Sequence, residues 1–250
     1  MKLIIITKKH IAAMAAVIAA AGTLGAFCIP RYVPTYNVNG REIPIYSVER
    51  GDNLVSLTFD CAWNDSDVDE ILDILDKYNV KACFFMVGTW AEKYPESVYK
   101  IYERGHEIGN HSYNHADYTK LSAEEILEDL EKCDAVIKNI TGEKPFFVRA
   151  PSGGYNDTVV KTIEDSGRIY VQWSVDSLDY KAGSVEEIIS RCQKTQKGDI
   201  ILMHNGTEYT AASLDSIITD ISKTMEFAPL GDLIYTDGYT IDHAGRQFKK

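Results

Sequence analysis

The amino-acid sequence predicts an α/β fold, most simply an α/β barrel. Short apolar runs that are typical of buried strands alternate with segments whose apolar residues recur at helical spacing. A strand and a helix together recur roughly every 25 to 35 residues, which indicates a parallel sheet wound by helices. Polar residues directly follow most of the predicted strands. In α/β barrels the chemistry lies at these strand ends.

The predicted strands and helices alternate from residue 54 onward. The strands are expected at 54–59, 81–87, 106–109, 146–148, 169–175 and 199–203. The helices are expected at 67–78, 94–103, 122–142, 157–165, 184–194 and 211–225. Two of these helices begin with a predicted capping box, Ser122 with Glu125 and Ser184 with Glu187.

The first 28 residues differ in composition from the rest of the chain. They contain three lysines and no acidic residue, and residues 11–28 carry no charge. Such a segment predicts either a secretory signal peptide cleaved near residues 24–26 or an uncleaved signal anchor just long enough to span a bilayer. The basic end of an anchor would stay inside and attach the protein to the membrane. In both cases we expect the body to lie outside the cytoplasm.

Charge and cysteine usage exclude two classes of protein. The 250 residues carry a net charge of −11 at pH 7, which argues against nucleic acid as a partner, because phosphate binding requires clustered Lys and Arg. The five cysteines are widely spaced and form no C-x-x-C pair, so we expect no disulfide framework. We expect the protein to be a monomer.

Composition divides the chain into four parts. Residues 1–28 are the signal peptide or anchor, and residues 29–53 are a linker with one edge strand expected at 43–47. Residues 54–235 form the predicted catalytic domain. Residues 236–250 are expected to be a polar C-terminal tail.

Titratable side chains follow nearly every predicted strand. They are Asp60, His111, His115, Arg149, Asp176, Asp179 and His204. Because the carboxyl ends of parallel barrel strands open on one face, we expect these side chains to meet at one mouth.

His111 and His115 stand four residues apart, and on a helical turn they would share a divalent cation. Two histidines and one carboxylate are the protein ligands of catalytic zinc sites that keep a position open for water. Asp60 is then expected to be the base for that water, and His204 the acid for the leaving group. The residues predict metal-assisted hydrolysis of an amide or ester.

Arg149 begins the turn Arg-Ala-Pro-Ser-Gly, whose backbone amides are suited to hold an oxyanion. We expect Asp179 to pair with Arg149 and to fix the orientation of the guanidinium.

Five short motifs occur in order within residues 52–226. They are Thr58-Phe-Asp60, His111-Ser-Tyr-Asn-His115, Arg149-Ala-Pro-Ser-Gly153, Asp176-Ser-Leu-Asp179-Tyr180 and Leu202-Met-His204. This set resembles the motifs of the NodB-type polysaccharide deacetylases, which are carbohydrate esterase family 4. The resemblance implies a deformed (β/α) barrel, a divalent metal that is most commonly zinc, and removal of N-acetyl groups from amino-sugar polymers.

The same resemblance implies a role for each motif residue. The catalytic residues would be Asp60 as general base, His204 as general acid, Arg149 to orient the base and Asp179 to tune that arginine. The metal ligands would include His111 and His115. Leu202 would line the acetyl pocket, and the further substrate-binding residues would be Ser152, Tyr180 and Trp63.

The third metal ligand departs from the family pattern, which usually has a second Asp directly after the base. Cys61 stands at that position. Its thiolate is a good zinc ligand and could replace the carboxylate. Alternatively, Cys61 fills space, and Asp65 or Asp67 of the same loop supplies the ligand; we favour Asp65. Tyr180 also replaces the usual Trp, which would reshape the acetyl pocket.

Residues 43–47 and 59–63 are similar to the sporulation-associated deacetylase subgroup of Gram-positive bacteria. We therefore expect an exported or membrane-anchored, metal-dependent enzyme that removes N-acetyl groups from cell-wall polysaccharide. Two alternatives stay open. One is a weak or inactive barrel that binds wall glycan, and the other is an O-deacetylase of acetylated xylan-like polymers.

Overall fold

The computed structural model describes residues 37–38 and 41–250 of the chain. The predicted signal segment and the first part of the predicted linker lie outside these residues. Within the described part, no helix combines the length and the apolar character needed to cross a membrane.

The strands of the described part form three sheets. In the first, β1 (Asn37–Val38) pairs with β2 (Arg41–Glu42). The second sheet contains β3 (Ser47–Val48) and two further strands near the C-terminus. The main sheet contains β4 (Leu54–Cys61), β5 (Cys83–Met86), β6 (Glu107–Asn110), β7 (Phe147–Val148), β8 (Ile169–Tyr170), β9 (Val175–Asp176), β10 (Ile200–His204) and β11 (Glu226–Phe227).

Helices alternate with the strands of the main sheet. In the described part they are α1 (Val68–Lys77), α2 (Gly88–Lys93), α3 (Pro95–Glu103), α4 (Ala123–Thr141), α5 (Asp157–Asp165), α6 (Val185–Cys192), α7 (Thr210–Ile221) and α8 (Leu230–Leu233). Helix α1 illustrates the predicted spacing, because Val68, Ile71, Leu72 and Leu75 are all buried. Burying each such side chain contributes roughly 1.5–3 kcal/mol.

The two predicted capping boxes differ in the structure. At the start of α4, the Ser122 side chain accepts from the Glu125 N–H, and the Glu125 carboxylate accepts from the Ser122 N–H. At the start of α6, the Ser184 side chain likewise accepts from the Glu187 N–H. The Glu187 carboxylate, however, accepts from the N–H of Gly183 instead.

The strands of the main sheet are parallel, in the order β8-β7-β6-β5-β4-β10-β9, with β11 also paired to β4. Together with the surrounding helices, this curled sheet confirms the predicted deformed (β/α) barrel. Residues of β4 alternate between the barrel interior and the helices, so Asp60 and Cys61 face opposite sides.

The strand predicted at 169–175 is wrong in one respect, because the structure has two short strands there. β8 pairs with β7 and β9 pairs with β10, at opposite ends of the sheet order. Between them the chain leaves the ladder: the Gln172 N–H donates to the Ile45 carbonyl, and the Ser174 N–H donates to the Ile200 carbonyl. The segment 169–175 therefore crosses the gap that deforms the barrel.

The segment predicted as a polar tail folds back onto the barrel. The hairpin of β12 (Tyr239–Ile241) and β13 (Arg246–Lys249) joins β3 through β13. The side chain of Gln247 is fully buried and bonds both the N–H and the carbonyl of Tyr235. The edge strand predicted at 43–47 is only partly present: Ile45 makes a single bridge to Val171, and the regular strand β3 begins at Ser47.

Candidate active site

A cavity of about 370 Å³ opens at the carboxyl ends of the main-sheet strands. It is lined by Asp60, Ala62, Trp63, His111, His115, Ser152, Trp173, Asp176, Tyr180, Leu202 and His204. The predicted mouth is therefore a real cavity that brings together most of the predicted site residues. A larger cavity of about 910 Å³ lies near the start of α5 and holds none of these side chains.

Asp60 lies at the end of β4, where it is almost completely buried. Its Oδ1 accepts a hydrogen bond of 2.7 Å from Arg149 Nη1, and its Oδ2 lies 3.4 Å from His111 Nε2. Burial acts to raise the pKa of Asp60, but interactions with His111, Arg149 and His204 outweigh burial and lower it. Asp60 is therefore a carboxylate at neutral pH and suited to accept a proton.

Arg149 is fully buried and bonds Asp60 directly. Besides Asp60, its guanidinium donates to Thr58 Oγ1 at 3.0 Å and to the carbonyl of Gln172 at 3.0 Å. It also lies over the ring of Phe85, 4.1 Å from the ring centroid. With this many partners the guanidinium has one orientation, and it fixes the Asp60 carboxylate in turn.

The prediction that Asp179 pairs with Arg149 is wrong. Asp179 Oδ1 accepts from His204 Nδ1 at 2.7 Å, and Asp179 Oδ2 accepts from the His204 N–H at 2.7 Å. Asp179 lies just after β9 and His204 ends β10, and these strands are neighbours in the sheet. Arg149, which follows β7, is several strands away. Asp179 therefore bonds His204 and not Arg149.

The pKa of His204 responds to its carboxylate neighbours. Burial lowers the pKa, but the hydrogen bond and charge of Asp179, with further contributions from Asp60 and Asp176, raise it above its ordinary value. Because Nδ1 donates to Asp179, the proton on Nε2 is the one available to the cavity.

His111 and His115 are brought together, although on a loop rather than on the expected helical turn. Ser112 and His115 have left-handed backbone angles, with φ of 69° and 61°. The side chain of Asn110 accepts from the Ser112 N–H and thereby shapes this loop. The two imidazole rings lie edge to face, with their centroids 5.1 Å apart.

Both imidazoles are neutral at physiological pH. Burial lowers the pKa of His111 to about 4, and burial also lowers the pKa of His115. His111 Nδ1 lies 2.8 Å from the Arg149 carbonyl, which can only accept, so Nδ1 carries the proton and Nε2 has a free lone pair. A backbone carbonyl bonded to one ring nitrogen is a common way to orient a metal-binding histidine.

The structure does not bring Asp65, the favoured third ligand, to the two histidines. Its Oδ2 accepts from Ser97 Oγ at 2.7 Å, and Asp65 lines a separate cavity beside α3. Asp67 Oδ1 accepts from the N–H of Gly206, so this carboxylate supports the loop after His204 instead.

Cys61 lies in the main hydrophobic core, fully buried among side chains of the helical side. Burial raises the pKa of its thiol well above the ordinary value. A neutral thiol that faces the core is not a zinc ligand.

The described residues therefore do not fit a catalytic zinc site with three protein ligands. Within residues 41–250, no three His, Cys, Asp or Glu side chains are arranged to hold a metal ion. His111 and His115 supply two nitrogen atoms, whereas catalytic zinc sites have three protein ligands and a water.

Ser152 lies on a short helical turn, Pro151–Gly153, at the rim of the cavity. Its backbone is left-handed, with φ of 57°. Gly153 follows with φ of 67°, and a Cβ on this glycine would lie 2.8 Å from the Trp173 ring. The close approach of Trp173 holds the loop against the cavity.

Trp63 and Tyr180 flank His204, with ring centroids 5.2 Å and 5.4 Å from the imidazole. Both are large apolar side chains that stay about half exposed, at 48% and 47%. Leu202 lines the same cavity and is almost fully buried. The three residues provide apolar surface around His204.

Sequence reasoning missed Trp173 and Ala62 as lining residues. Asp176 was among the strand-end side chains expected at the mouth, and it lines the cavity. Trp173 was not singled out, because residues 169–175 were interpreted as one strand and not as two short strands with a break between them.

Comparisons with known proteins identify the family. The profile of the polysaccharide deacetylase family matches residues 47–171. The chain is 36% identical over 179 residues to the uncharacterized protein YlxY of Bacillus subtilis strain 168, covering 71% of this chain and 56% of YlxY. It is 34% identical over 207 residues to the peptidoglycan-N-acetylglucosamine deacetylase PgdA of Listeria monocytogenes, covering 81% of this chain and 42% of PgdA.

Among solved structures, BA3943 of Bacillus anthracis, a CE4 family pseudoenzyme, matches with a TM-score of 0.74 at 31% identity. The match covers 82% of this chain and 70% of BA3943. A mutant of BA3943 with restored enzymatic activity matches equally well, with a TM-score of 0.74.

A deformed parallel barrel with Asp60, His204 and two further histidines at its strand ends has the NodB-type fold of carbohydrate esterase family 4. The chain belongs to the polysaccharide deacetylase family. It spans about half the length of the curated relatives YlxY and PgdA.

Proposed function

We propose that this chain removes N-acetyl groups from a cell-wall amino-sugar polysaccharide, with Asp60 as general base and His204 as general acid. The observation that carries the proposal is that these two groups face one cavity with their pKa values moved in opposite directions. The pKa of Asp60 is lowered and that of His204 is raised. At neutral pH the cavity therefore offers one group that accepts a proton and one that donates it.

The proposed reaction is hydrolysis of the acetamide bond. Asp60, held by Arg149, takes a proton from a water molecule as the water oxygen attacks the carbonyl carbon. A backbone N–H at Ser152 donates to the oxyanion that forms. His204 then gives its Nε2 proton to the sugar nitrogen as the C–N bond breaks, and acetate and a free amine leave.

The walls of the cavity support an amino sugar as the substrate. Leu202 offers an apolar contact for the acetyl methyl group. Trp63 and Tyr180 offer exposed aromatic faces against which a sugar ring can pack. PgdA, which is named for peptidoglycan N-acetylglucosamine, supports the same class of substrate for this chain. The basic and apolar residues 1–28 support action outside the cytoplasm, as a secreted or a membrane-anchored protein.

For a divalent cation, zinc best matches the imidazole nitrogens of His111 and His115. We propose that these two histidines hold it weakly, because Cys61 faces the core and Asp65 bonds Ser97. The resemblance to the sporulation-associated subgroup extends the proposal to wall remodelling during spore formation.

A second candidate is a barrel that binds wall glycan without hydrolysing it. The specific observation in its favour is the missing third metal ligand. BA3943, a pseudoenzyme of similar fold, supports the possibility that a chain of this family keeps the barrel without the activity.

Acetate release from peptidoglycan and from chitooligosaccharides tests the first candidate. We expect acetate from the wild type and a loss of at least about a hundredfold in Asp60→Asn, the usual contribution of a general base. Asp73→Asn is the matched control, because Asp73 is an exposed acid paired with Arg104 far from the cavity. Retention on peptidoglycan without acetate would favour the binding module. Acetate from acetylated xylan alone would favour the O-deacetylase.

A further inference from the structure

We infer that Thr210, supported by Thr207, is a positioning residue for the acid, acting through Asp179 on His204. Thr210 is the first residue of α7 and is fully buried. Its hydroxyl donates to Asp179 Oδ2 at 2.6 Å. Thr210 does not line the cavity, so it acts through Asp179 and not on the substrate. The catalytic part of this inference rests on the proposed function.

The Asp179 carboxylate is held by four donors. Oδ1 accepts from His204 Nδ1 at 2.7 Å and from the Tyr180 N–H at 2.9 Å. Oδ2 accepts from the His204 N–H at 2.7 Å and from Thr210 Oγ1. The other three donors belong to Tyr180 and His204 near the strand ends, whereas Thr210 belongs to helix α7. Its bond therefore restricts the rotation of the carboxylate together with the two backbone donors, and thereby helps to fix the direction of the His204 ring.

The direction of the hydrogen bonds follows from donor counting. Thr210 has one hydroxyl proton, and Asp179 receives it. Thr207 Oγ1 lies 2.5 Å from Thr210 Oγ1, so Thr207 must be the donor of that bond. The two threonines thus form a short chain that ends on the carboxylate, and a donor that itself accepts a hydrogen bond is a stronger donor.

Helix capping does not explain the Thr210 hydroxyl. Tyr209 stands at the N-cap of α7 and makes no side-chain cap bond. The N–H of Thr210 donates to Thr207 Oγ1 at 3.3 Å, so Thr207 serves the helix end. The hydroxyl of Thr210 therefore donates to Asp179 and does not cap the helix.

The loss of this hydroxyl would lower the pKa of His204, so that less of the imidazole is protonated at neutral pH. The charged or titratable groups that act on His204 are Asp60, Asp176 and Asp179, together with His115 across the cavity. Without the Thr210 bond the Asp179 carboxylate has a buried oxygen with one donor fewer and more freedom to rotate. A carboxylate that rotates away from Nδ1 bonds the imidazole ring less well, so the imidazolium is less stabilised.

The test is the titration of His204 by NMR in the full chain, with the signal assigned from His204→Gln. We expect Thr210→Val to lower the pKa of His204 and Thr210→Ser to restore it. In acetate release, Thr210→Val should lower kcat about tenfold with KM unchanged, and the alkaline limb should move to lower pH. Thr219→Val is the matched control, because this threonine of the same helix bonds Tyr78 at the surface.

An unchanged His204 titration in a folded Thr210→Val variant would overturn the inference. If Thr210→Val does not fold, Thr207→Val decides: we expect a smaller shift in the same direction, and no shift would overturn it. The NMR arm does not need an active enzyme. A shifted titration without any acetate release by the wild type would contradict the proposed function alone.

Discussion

Asp60 and His204 are register partners on the adjacent parallel strands β4 and β10. Side chains at paired positions of neighbouring strands point to the same side of the sheet, so the proposed base and acid enter the cavity together. Each has its own buried support: Arg149 bonds Asp60, and Asp179 bonds His204. The two pairs share no hydrogen bond, but the charges of Asp60 and His204 act on each other across the cavity.

Stability should depend on pH through His204. Its folded-state pKa is raised above the unfolded value, so its contribution is complete below the unfolded pKa and is lost as pH rises through the folded one. We expect His204→Gln to cost more unfolding free energy at about pH 5.5 than at about pH 9. Urea unfolding at both pH values measures this. An equal cost at both would show that the His204–Asp179 pair gives no net stabilisation to the protonated form.

Activity should fall on both sides of neutrality. The lowered pKa of Asp60 keeps the base ionised to acidic pH, and the raised pKa of His204 keeps the acid protonated beyond its ordinary range. We expect a bell-shaped profile of kcat/KM whose alkaline limb reports His204. Asp179→Asn should move that limb to lower pH. If the alkaline limb of Asp179→Asn lies at the same pH as that of the wild type, another group is the acid.

Arg149 should be needed for folding as well as for catalysis. Arg149→Met leaves the buried Asp60 carboxylate without its cationic partner, which should cost about 3–5 kcal/mol of unfolding free energy. The control Arg104→Met removes an exposed partner of Asp73 and should cost about 0–1 kcal/mol. Denaturant unfolding compares the two. If Asp60→Asn does not recover part of the loss in the Arg149→Met background, the cost comes from lost packing rather than from the unpaired charge.

Zinc binding should depend on His111 and His115 and not on Cys61 or Asp65, the candidates for a third ligand. Isothermal titration of zinc should give a Kd above about 1 μM, weak for a protein zinc site. His111→Ala should weaken binding at least about tenfold. Cys61→Ala and Asp65→Ala should leave the Kd unchanged, because neither side chain faces the cavity. A loss of affinity in either variant would identify the ligand that this structure leaves out.

The sequence predicted most helices and strands and most residues at the cavity. It predicted less well which of these side chains bond each other. Strand-end positions sufficed for Asp60, His111 and His204, because parallel strands end on one face. The partner of Asp179 did not follow from motif order, since it depends on which strands are neighbours in space: β10, late in the chain, lies between β4 and β9. The location of Asp65 likewise depends on Ser97 of α3, a contact between distant residues that no local pattern encodes.

The aromatic pair beside His204 should contribute to substrate binding and not to folding. Trp63 and Tyr180 are both about half exposed, so Trp63→Ala and Tyr180→Ala should leave the unfolding free energy within about 0.5 kcal/mol of the wild type. Loss of one ring contact with the sugar should raise KM about tenfold. Tyr99→Ala is the matched control, because Tyr99 is 49% exposed but lies on α3 outside the cavity. Equal KM values for all three variants would contradict a sugar contact at this pair.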